Sequence, residues 1–125
     1  MEKKQIHTEL APAAIGPYSQ GIDLGSLVFT SGQIPVCPAD GSVSDDIAQQ
    51  AHQCLQNLKA VLEAAGSSME KVIKTTVFIA DMDQFGVING VYEQYFAQPY
   101  PARSCVQVAK LPKGVGIEVE AIALK

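Results

Sequence analysis

The segment from Ile47 to Ala65 carries the strongest structural pattern in the chain. Its apolar residues recur at intervals of four, four, three, four and three: Ile47, Ala51, Leu55, Leu58, Leu62 and Ala65. This spacing puts them on one face of an α-helix, so the segment predicts an amphipathic helix with a single buried stripe. Ser44 is predicted to cap the start of this helix, with Asp45 and Asp46 in its first turn, and Gly66 is predicted to end it.

Strand patterns lie on both sides of this helix. They cover residues 5–9, 18–24 and 27–31 before it, and residues 72–80, 102–109 and 115–124 after it. A second helix is predicted to begin at a cap on Asp83 and to end before Pro99 and Pro101. Its apolar stripe consists of Phe85, Ile88, Tyr92 and either Tyr95 or Phe96.

The order of these elements is strands, helix, strand, helix, strands, and no linker interrupts it. This order predicts one domain over residues 1–125, of the α+β class. We expect an antiparallel or mixed sheet that carries both helices on one face. The other face is then left to water or to a partner. Glu118 and Glu120 alternate with apolar residues in the last strand, and a face of such mixed character favours oligomerisation.

The composition is that of an ordinary folded protein. Hydrophobic residues make up 47% of the 125 positions and charged residues 18%, which excludes a disordered chain. No apolar run approaches the ~20 residues that a membrane span needs. Residues 1–7 are not followed by the apolar core of a secretion signal. We therefore expect a cytoplasmic protein without membrane contact.

Metal sites, disulfides and nucleic-acid binding are all disfavoured. The three cysteines, Cys37, Cys54 and Cys105, lie far apart and form no Cys-x-x-Cys motif. His7 and His52 have no partner at metal-ligand spacing. The net charge is −4 and the isoelectric point is about 5.0. Since nucleic-acid binding depends on neutralising phosphates with cations, this charge argues against such a partner.

Arg103 is the main candidate for binding chemistry. It lies at the start of a predicted strand, and Cys105 is on the same face two residues later. A guanidinium group can hold a carboxylate with two parallel hydrogen bonds. The more common alternative is an ion pair with Glu118 or Glu120, if the last strand runs antiparallel beside this one. Spacing alone favours the ion pair and leaves both interpretations open.

Other polar residues are weaker candidates. Glu118 and Glu120 share a strand face, where two like charges would raise at least one pKa, although the residues alone favour two solvated groups on an exposed face. Cys105 has no base nearby in sequence, and an inert thiol is the simpler interpretation. Ser31 and Gly32 follow a strand end and offer a hydroxyl and an open backbone N–H. Tyr18 and Asn89 belong to no motif. From the residues alone, the sequence predicts an α+β domain with a possible anion site.

Five segments of the sequence match a known family in order and cover nearly the whole chain. They are residues 11–20 (Ala-Pro-Ala-Ala-Ile-Gly-Pro-Tyr-Ser-Gln), 30–35 (Thr-Ser-Gly-Gln-Ile-Pro), 72–78 (Val-Ile-Lys-Thr-Thr-Val-Phe), 101–106 (Pro-Ala-Arg-Ser-Cys-Val) and 117–123 (Ile-Glu-Val-Glu-Ala-Ile-Ala). On these segments the chain resembles the reactive intermediate deaminase A proteins, also called the RidA/YjgF family. The loop at residues 97–100 is shorter than in bacterial members, which we expect to reshape the rim of the pocket.

The resemblance implies a chorismate-mutase-like fold and a homotrimer with its sites between subunits. It also implies hydrolysis of 2-iminobutanoate and 2-iminopropanoate, or their enamine forms, to 2-oxo acids and ammonia. No cofactor is implied, because an imine carbon beside a carboxylate is already electrophilic. Arg103 would bind the substrate carboxylate, and Glu118 would activate water together with the backbone carbonyl of Cys105. The implied pocket residues are Tyr18, Ser31, Gly32 and Asn89.

Two other functions remain as alternatives at this point. The chain could be a non-catalytic module that binds a small 2-oxo acid, which would use Arg103 without needing Glu118. It could also act as an RNA-cleaving or chaperone-like stress protein, and the acidic isoelectric point argues against RNA.

Overall fold

Six strands form one mixed sheet in a computed structural model, which describes residues 2–125. The strands are β1 (Lys4–Ile6), β2 (Gly21–Asp23), β3 (Leu27–Thr30), β4 (Val72–Ile79), β5 (Ala102–Gln107) and β6 (Ile117–Leu124). The two α-helices are α1 (Ile47–Ala64) and α2 (Phe85–Tyr92), and short 3₁₀ turns cover Met69–Lys71, Met82–Gln84 and Pro112–Gly114. The α+β class predicted from the sequence is confirmed.

The strands lie in the spatial order β1, β2, β3, β6, β4, β5. All neighbouring strands are antiparallel except β4 and β5, which are parallel. Parallel neighbours need a crossover connection because the chain must return to the same end of the sheet. The segment that contains α2 supplies this crossover, which brings α2 close to β5.

The stripe on α1 forms the centre of the core. Its members Ala51, Leu55, Leu58 and Leu62 are all buried, as the amphipathic pattern predicts. They belong to one apolar cluster with Val28 of β3 and with buried side chains of β4 and β6. The helix also contacts α2. No helix within residues 2–125 is long and apolar enough to cross a membrane.

The predicted caps of both helices are wrong by a few residues. Asp46 caps α1, because its carboxylate accepts a 3.0 Å hydrogen bond from the backbone N–H of Gln49. The Ser44 hydroxyl accepts from the N–H of Asp46 and so stabilises the turn before the helix. At the second helix, the Asp81 carboxylate accepts from the N–H of Asp83. Asp83 therefore lies inside a 3₁₀ turn that leads into α2.

The sheet has one covered face and one open face. In β6, Ile117, Val119, Ala121 and Ala123 are buried, whereas Glu120 and Leu124 are exposed. The open face also carries Phe29 of β3 and Val106 of β5, which are 38% and 44% exposed. Apolar side chains on three strands thus reach solvent on the face that lies away from the helices.

Gly21 occupies a crowded position in the sheet, and we expect Gly21→Ala to lower the free energy of unfolding by about 1–3 kcal/mol. A Cβ atom there would lie 3.0 Å from the carbonyl oxygen of Phe29 and 2.9 Å from Cδ1 of Ile6. The backbone oxygen cannot move away cheaply. Urea denaturation of the purified variant measures the change.

Gly86→Ala is the matched control. This glycine lies in α2 with open space around its Cα, so alanine is expected to stabilise the protein by about 0.5–1 kcal/mol. If both variants changed stability in the same direction, crowding at Gly21 would not be the cause.

Candidate active site

Arg103 lies on β5, an edge strand that pairs only with β4. Since β4 separates β5 from β6, the ion pair with Glu118 or Glu120 expected from spacing does not form. Arg103 lies opposite the buried Thr75, on the covered face, whereas Glu118 lies opposite Phe78 on the open face. The interpretation of Arg103 as a structural ion-pair partner of β6 is therefore wrong.

Residues of α2 surround the Arg103 side chain. Its Nη1 donates a 2.7 Å hydrogen bond to Oδ1 of Asn89. Its Cζ lies 4.8 Å from the ring centroid of Tyr92 and 5.5 Å from that of Phe85. Within residues 2–125 the single ion pair joins Lys125 to Asp23, so the charge of Arg103 is not neutralised by a carboxylate of its own chain.

The Arg103 cleft is an open depression of about 400 Å³ beside this cation. Its walls are formed by Asn89, Tyr92, Glu93, Tyr100, Pro101 and Arg103. Tyr100 belongs to the loop that the sequence predicts to be shortened. An exposed guanidinium with unused N–H donors suits the binding of a small carboxylate.

Cys105 follows Arg103 on the same face and is partly buried. Burial raises the pKa of its thiol, and this effect exceeds the opposing effect of the nearby Arg103. A thiol with a raised pKa holds little thiolate near neutral pH, so it is a poor nucleophile. The side chain of Cys105 therefore has no evident covalent chemistry.

Glu118 lies in a second depression, the Glu118 cleft, of about 430 Å³. Tyr18, Ser31 and Gly32 line this cleft with it, together with Ile15, Ile34 and Pro112. The structure thus brings together four of the residues predicted for the site. Of the other three, Asn89 and Arg103 meet in the Arg103 cleft, and Cys105 lines neither cleft.

The backbone at Ser31 and Gly32 is shaped by the end of β3. The N–H of Gln33 donates to the carbonyl of Val119 at 2.8 Å, and the N–H of Val119 donates back at 3.0 Å. Ser31 is tied to the preceding segment, since its hydroxyl donates to the carbonyl of Ser19. These hydrogen bonds hold the backbone at residue 32 close to β6. A Cβ at Gly32 would overlap the Glu118 carboxylate, so only glycine allows Glu118 its present position.

Burial and the negative charge of Glu120 both raise the pKa of Glu118, and burial has the larger effect. A carboxylate with a raised pKa is a stronger base than a free glutamate. Within residues 2–125, no group of three or more His, Cys, Asp and Glu side chains is placed to hold a metal ion. Among the residues that line its cleft, Glu118 is the one whose carboxylate can act as a base.

The two clefts lie on opposite faces of the sheet in one chain. Arg103 is on the covered face and Glu118 is on the open face. Sequence reasoning missed Phe85 and Tyr92 as neighbours of Arg103. Their spacing of four and three residues around Asn89 was the available signal, because it places all three on one helix face.

Known proteins are similar in sequence to this chain along almost its whole length. A family model described as Endoribonuclease L-PSP matches residues 8–125. The chain belongs to this family. A Salmonella typhimurium protein named 2-iminobutanoate/2-iminopropanoate deaminase is 56% identical over 98% of both chains. An Escherichia coli K12 protein of the same name is 55% identical, again over 98% of both chains.

Solved structures of the family have the same fold. The crystal structure of E. coli TdcF with bound serine is 55% identical, covers 98% of this chain and 99% of its own, and has a TM-score of 0.95. The crystal structure of the E. coli YjgF gene product is 53% identical over 98% of both chains, with a TM-score of 0.94. The resemblance to RidA/YjgF proteins seen in the sequence is therefore confirmed.

The raised pKa of Glu118 can be tested by titrating its carboxyl carbon by NMR. We expect a midpoint above the ordinary glutamate value of about 4.3. Glu120→Gln removes one of the two causes, so it should lower this midpoint. A Glu118 midpoint at or below the ordinary value would contradict the raised pKa.

The same shift predicts a pH-dependent stability. A carboxyl group whose pKa is raised on folding favours the folded state while it is protonated, and this contribution is lost as the pH rises through the folded-state pKa. Glu118→Gln is therefore expected to be more stable than the wild type at pH 8, with the difference vanishing below the pKa of the unfolded chain. Urea unfolding over a pH series measures this, and a variant less stable at pH 8 would speak against it.

Proposed function

We propose that this protein hydrolyses reactive 2-imino acids and their enamine forms to 2-oxo acids and ammonia. 2-Iminobutanoate and 2-iminopropanoate are the proposed substrates. The observation that carries the proposal is an Arg103 guanidinium held by Asn89 and left without a carboxylate partner in residues 2–125. It occurs in a chain that is 55–56% identical to deaminases named for these substrates. Removal of such imines would protect pyridoxal-phosphate enzymes that they attack.

The proposed reaction begins with the substrate carboxylate on Arg103. Two charge-assisted hydrogen bonds orient the imine carbon, and Asn89 keeps the guanidinium in place. An enamine first takes a proton on its β-carbon and loses one from its nitrogen, which gives the imine. The carbon of the C=N bond is electrophilic because the nitrogen and the adjacent carboxylate carbon withdraw electrons, so this chemistry needs no cofactor.

Glu118 is the proposed general base. It takes a proton from a water molecule that the backbone carbonyl of Cys105 also holds, and the water oxygen forms a bond to the imine carbon. Glu118 returns this proton to the nitrogen, which gives the neutral carbinolamine. The hydroxyl proton of the carbinolamine then moves through Glu118 to the nitrogen as the C–N bond breaks, so that the carbonyl forms, ammonia leaves and the carboxylate is regenerated. Tyr18, Ser31 and Gly32 line the pocket around the reacting atoms.

We place the complete site between subunits of a homotrimer. Side chains on opposite faces of a sheet point away from each other, so a three- or four-carbon imine cannot touch both Arg103 and Glu118 of one chain. The exposed apolar residues Phe29, Val106 and Leu124 on the open face support association there. Joining the Arg103 cleft of one subunit to the Glu118 cleft of the next would give three equivalent sites.

The family description names an endoribonuclease, which makes RNA cleavage the natural rival activity. The net charge of −4 opposes the phosphate neutralisation that RNA binding needs. A small carboxylate, in contrast, requires one well-placed cation, and Arg103 provides it.

Imine trapping tests the proposed reaction. Threonine dehydratase generates 2-iminobutanoate from threonine, and semicarbazide traps the imine that survives. The wild-type protein is expected to suppress semicarbazone formation. Arg103→Ala should lower kcat/KM by roughly 10²-fold or more, because the carboxylate loses its charged partner. Glu118→Gln should lower kcat by about 10²–10⁴-fold, the usual effect of removing a general base.

Two measurements separate the enzyme from a binding module. Glu118→Gln should still bind 2-oxobutanoate, whereas Arg103→Ala should not. Arg103→Lys keeps the positive charge without the planar guanidinium. Its affinity for 2-oxobutanoate should therefore lie between those of the wild type and Arg103→Ala. A wild-type protein that binds 2-oxobutanoate and leaves imine trapping unchanged would show a binding module and refute the deaminase.

Subunit mixing tests whether one site uses two chains. Arg103→Ala and Glu118→Gln should each be nearly inactive alone. A site shared between two subunits recovers when Arg103 comes from a Glu118→Gln subunit and Glu118 comes from an Arg103→Ala subunit. Random mixing of equal amounts gives such sites at a frequency of about one quarter. We expect about that fraction of wild-type activity after joint refolding. An inactive mixture that forms mixed oligomers would place both residues in one chain's site.

A further inference from the structure

The surroundings of Arg103 contain more than the asparagine that the family pattern predicts. Phe85, Asn89 and Tyr92 lie on one face of α2 and all approach the same guanidinium group. Long exposed arginine side chains normally sample many rotamers, which costs entropy when a ligand fixes one of them. Three contacts from one helix restrict this side chain before any ligand arrives.

The Tyr92 ring is itself held in place. Its hydroxyl shares a 2.8 Å hydrogen bond with the hydroxyl of Thr75, and its ring centroid lies 4.5 Å from that of Phe96. Thr75 is completely buried and lies opposite Arg103 in the register of β4 and β5. The strand position of Arg103 and the position of the ring beside it thus depend on the same residue.

Aromatic rings and a carboxylate contact different parts of a guanidinium group. A ring attracts the cation through its π face, within about 6 Å of the centroid. A carboxylate binds the N–H groups at the edge of the guanidinium plane. Phe85 and Tyr92 can therefore restrain Arg103 and leave free the N–H donors that a substrate carboxylate needs. An acidic neighbour would occupy those donors.

We propose that Phe85 and Tyr92 are positioning residues for Arg103. They form an aromatic cradle that keeps the guanidinium ready for a carboxylate, and Thr75 fixes the deeper ring of the cradle. This inference rests on the proposed function for its substrate. It adds to that function the reason why an exposed arginine on an edge strand is ordered enough to orient a small molecule.

Kinetic variants of the cradle test this role. Phe85→Leu and Tyr92→Leu should each raise the KM for 2-iminobutanoate and the Kd for 2-oxobutanoate about two- to five-fold, the factor expected for one cation–π contact. The kcat should change much less, because the carboxylate is bound in both ground and transition states. Tyr92→Phe keeps the ring and should recover most of the affinity that Tyr92→Leu loses.

Tyr95→Leu is the matched control, since Tyr95 contacts His52 and not Arg103. It should leave both constants unchanged. The Nε–H resonance of Arg103 gives a second readout without ligand. In the wild type it should show a ring-current shift, which Phe85→Leu and Tyr92→Leu should reduce and Tyr95→Leu should not.

Several results would overturn the cradle. One is an unchanged Kd for 2-oxobutanoate in Phe85→Leu and Tyr92→Leu. Another is an equal loss of affinity in Tyr95→Leu, which would indicate general destabilisation. A wild-type protein that binds 2-oxobutanoate but does not hydrolyse the imine would refute the proposed function alone, since the Kd series still tests the cradle. If the wild type does not bind 2-oxobutanoate at all, both proposals fail.

Discussion

The alternation of side chains along β6 is the constraint on which the rest of the structure depends. Successive residues of a strand point to opposite faces, and β6 lies between β3 and β4 near the middle of the sheet. Its buried residues pack beneath the helices, while Glu118 and Glu120 lie on the other face. A shift of one residue would expose the core residues and bury both glutamates, so this register is strongly determined.

The alternation of side chains in β5 and β6 also explains why Arg103 and Glu118 lie in two separate clefts. The face of the sheet that packs against α2 holds Arg103, and the open face holds Glu118. In the proposed reaction each cleft supplies one half of what imine hydrolysis needs: Arg103 is the cation for the carboxylate, and Glu118 is the base for the water. In the site proposed here, a second copy of the chain presents the complementary half, so the proposed activity requires oligomeric assembly.

The environment of each half suits its chemistry. Glu118 lies close to the backbone at Gly32, and burial together with the charge of Glu120 raises its pKa. Arg103 needs an ordered side chain to hold a carboxylate with two hydrogen bonds. Asn89 and two aromatic rings supply contacts that leave donors free. The proposed substrate is reactive by itself, so a site with few groups is sufficient for the proposed reaction.

Local patterns in the sequence determined the α1 stripe, the alternation of β6, the α+β class and the family, because these depend on residues close together in the chain. The same patterns placed the caps at Ser44 and Asp83, whereas Asp46 and Asp81 make the bonds at those helix starts. A shift of two residues in a cap is decided by local backbone angles that composition does not specify. Only the tertiary structure decided that β4 lies between β5 and β6, which rules out an ion pair from Arg103 to Glu118 or Glu120. It also brought Phe85 and Tyr92 to Arg103. Strand order and such contacts join residues that are distant in sequence, and their free energy comes from the packing of the whole sheet.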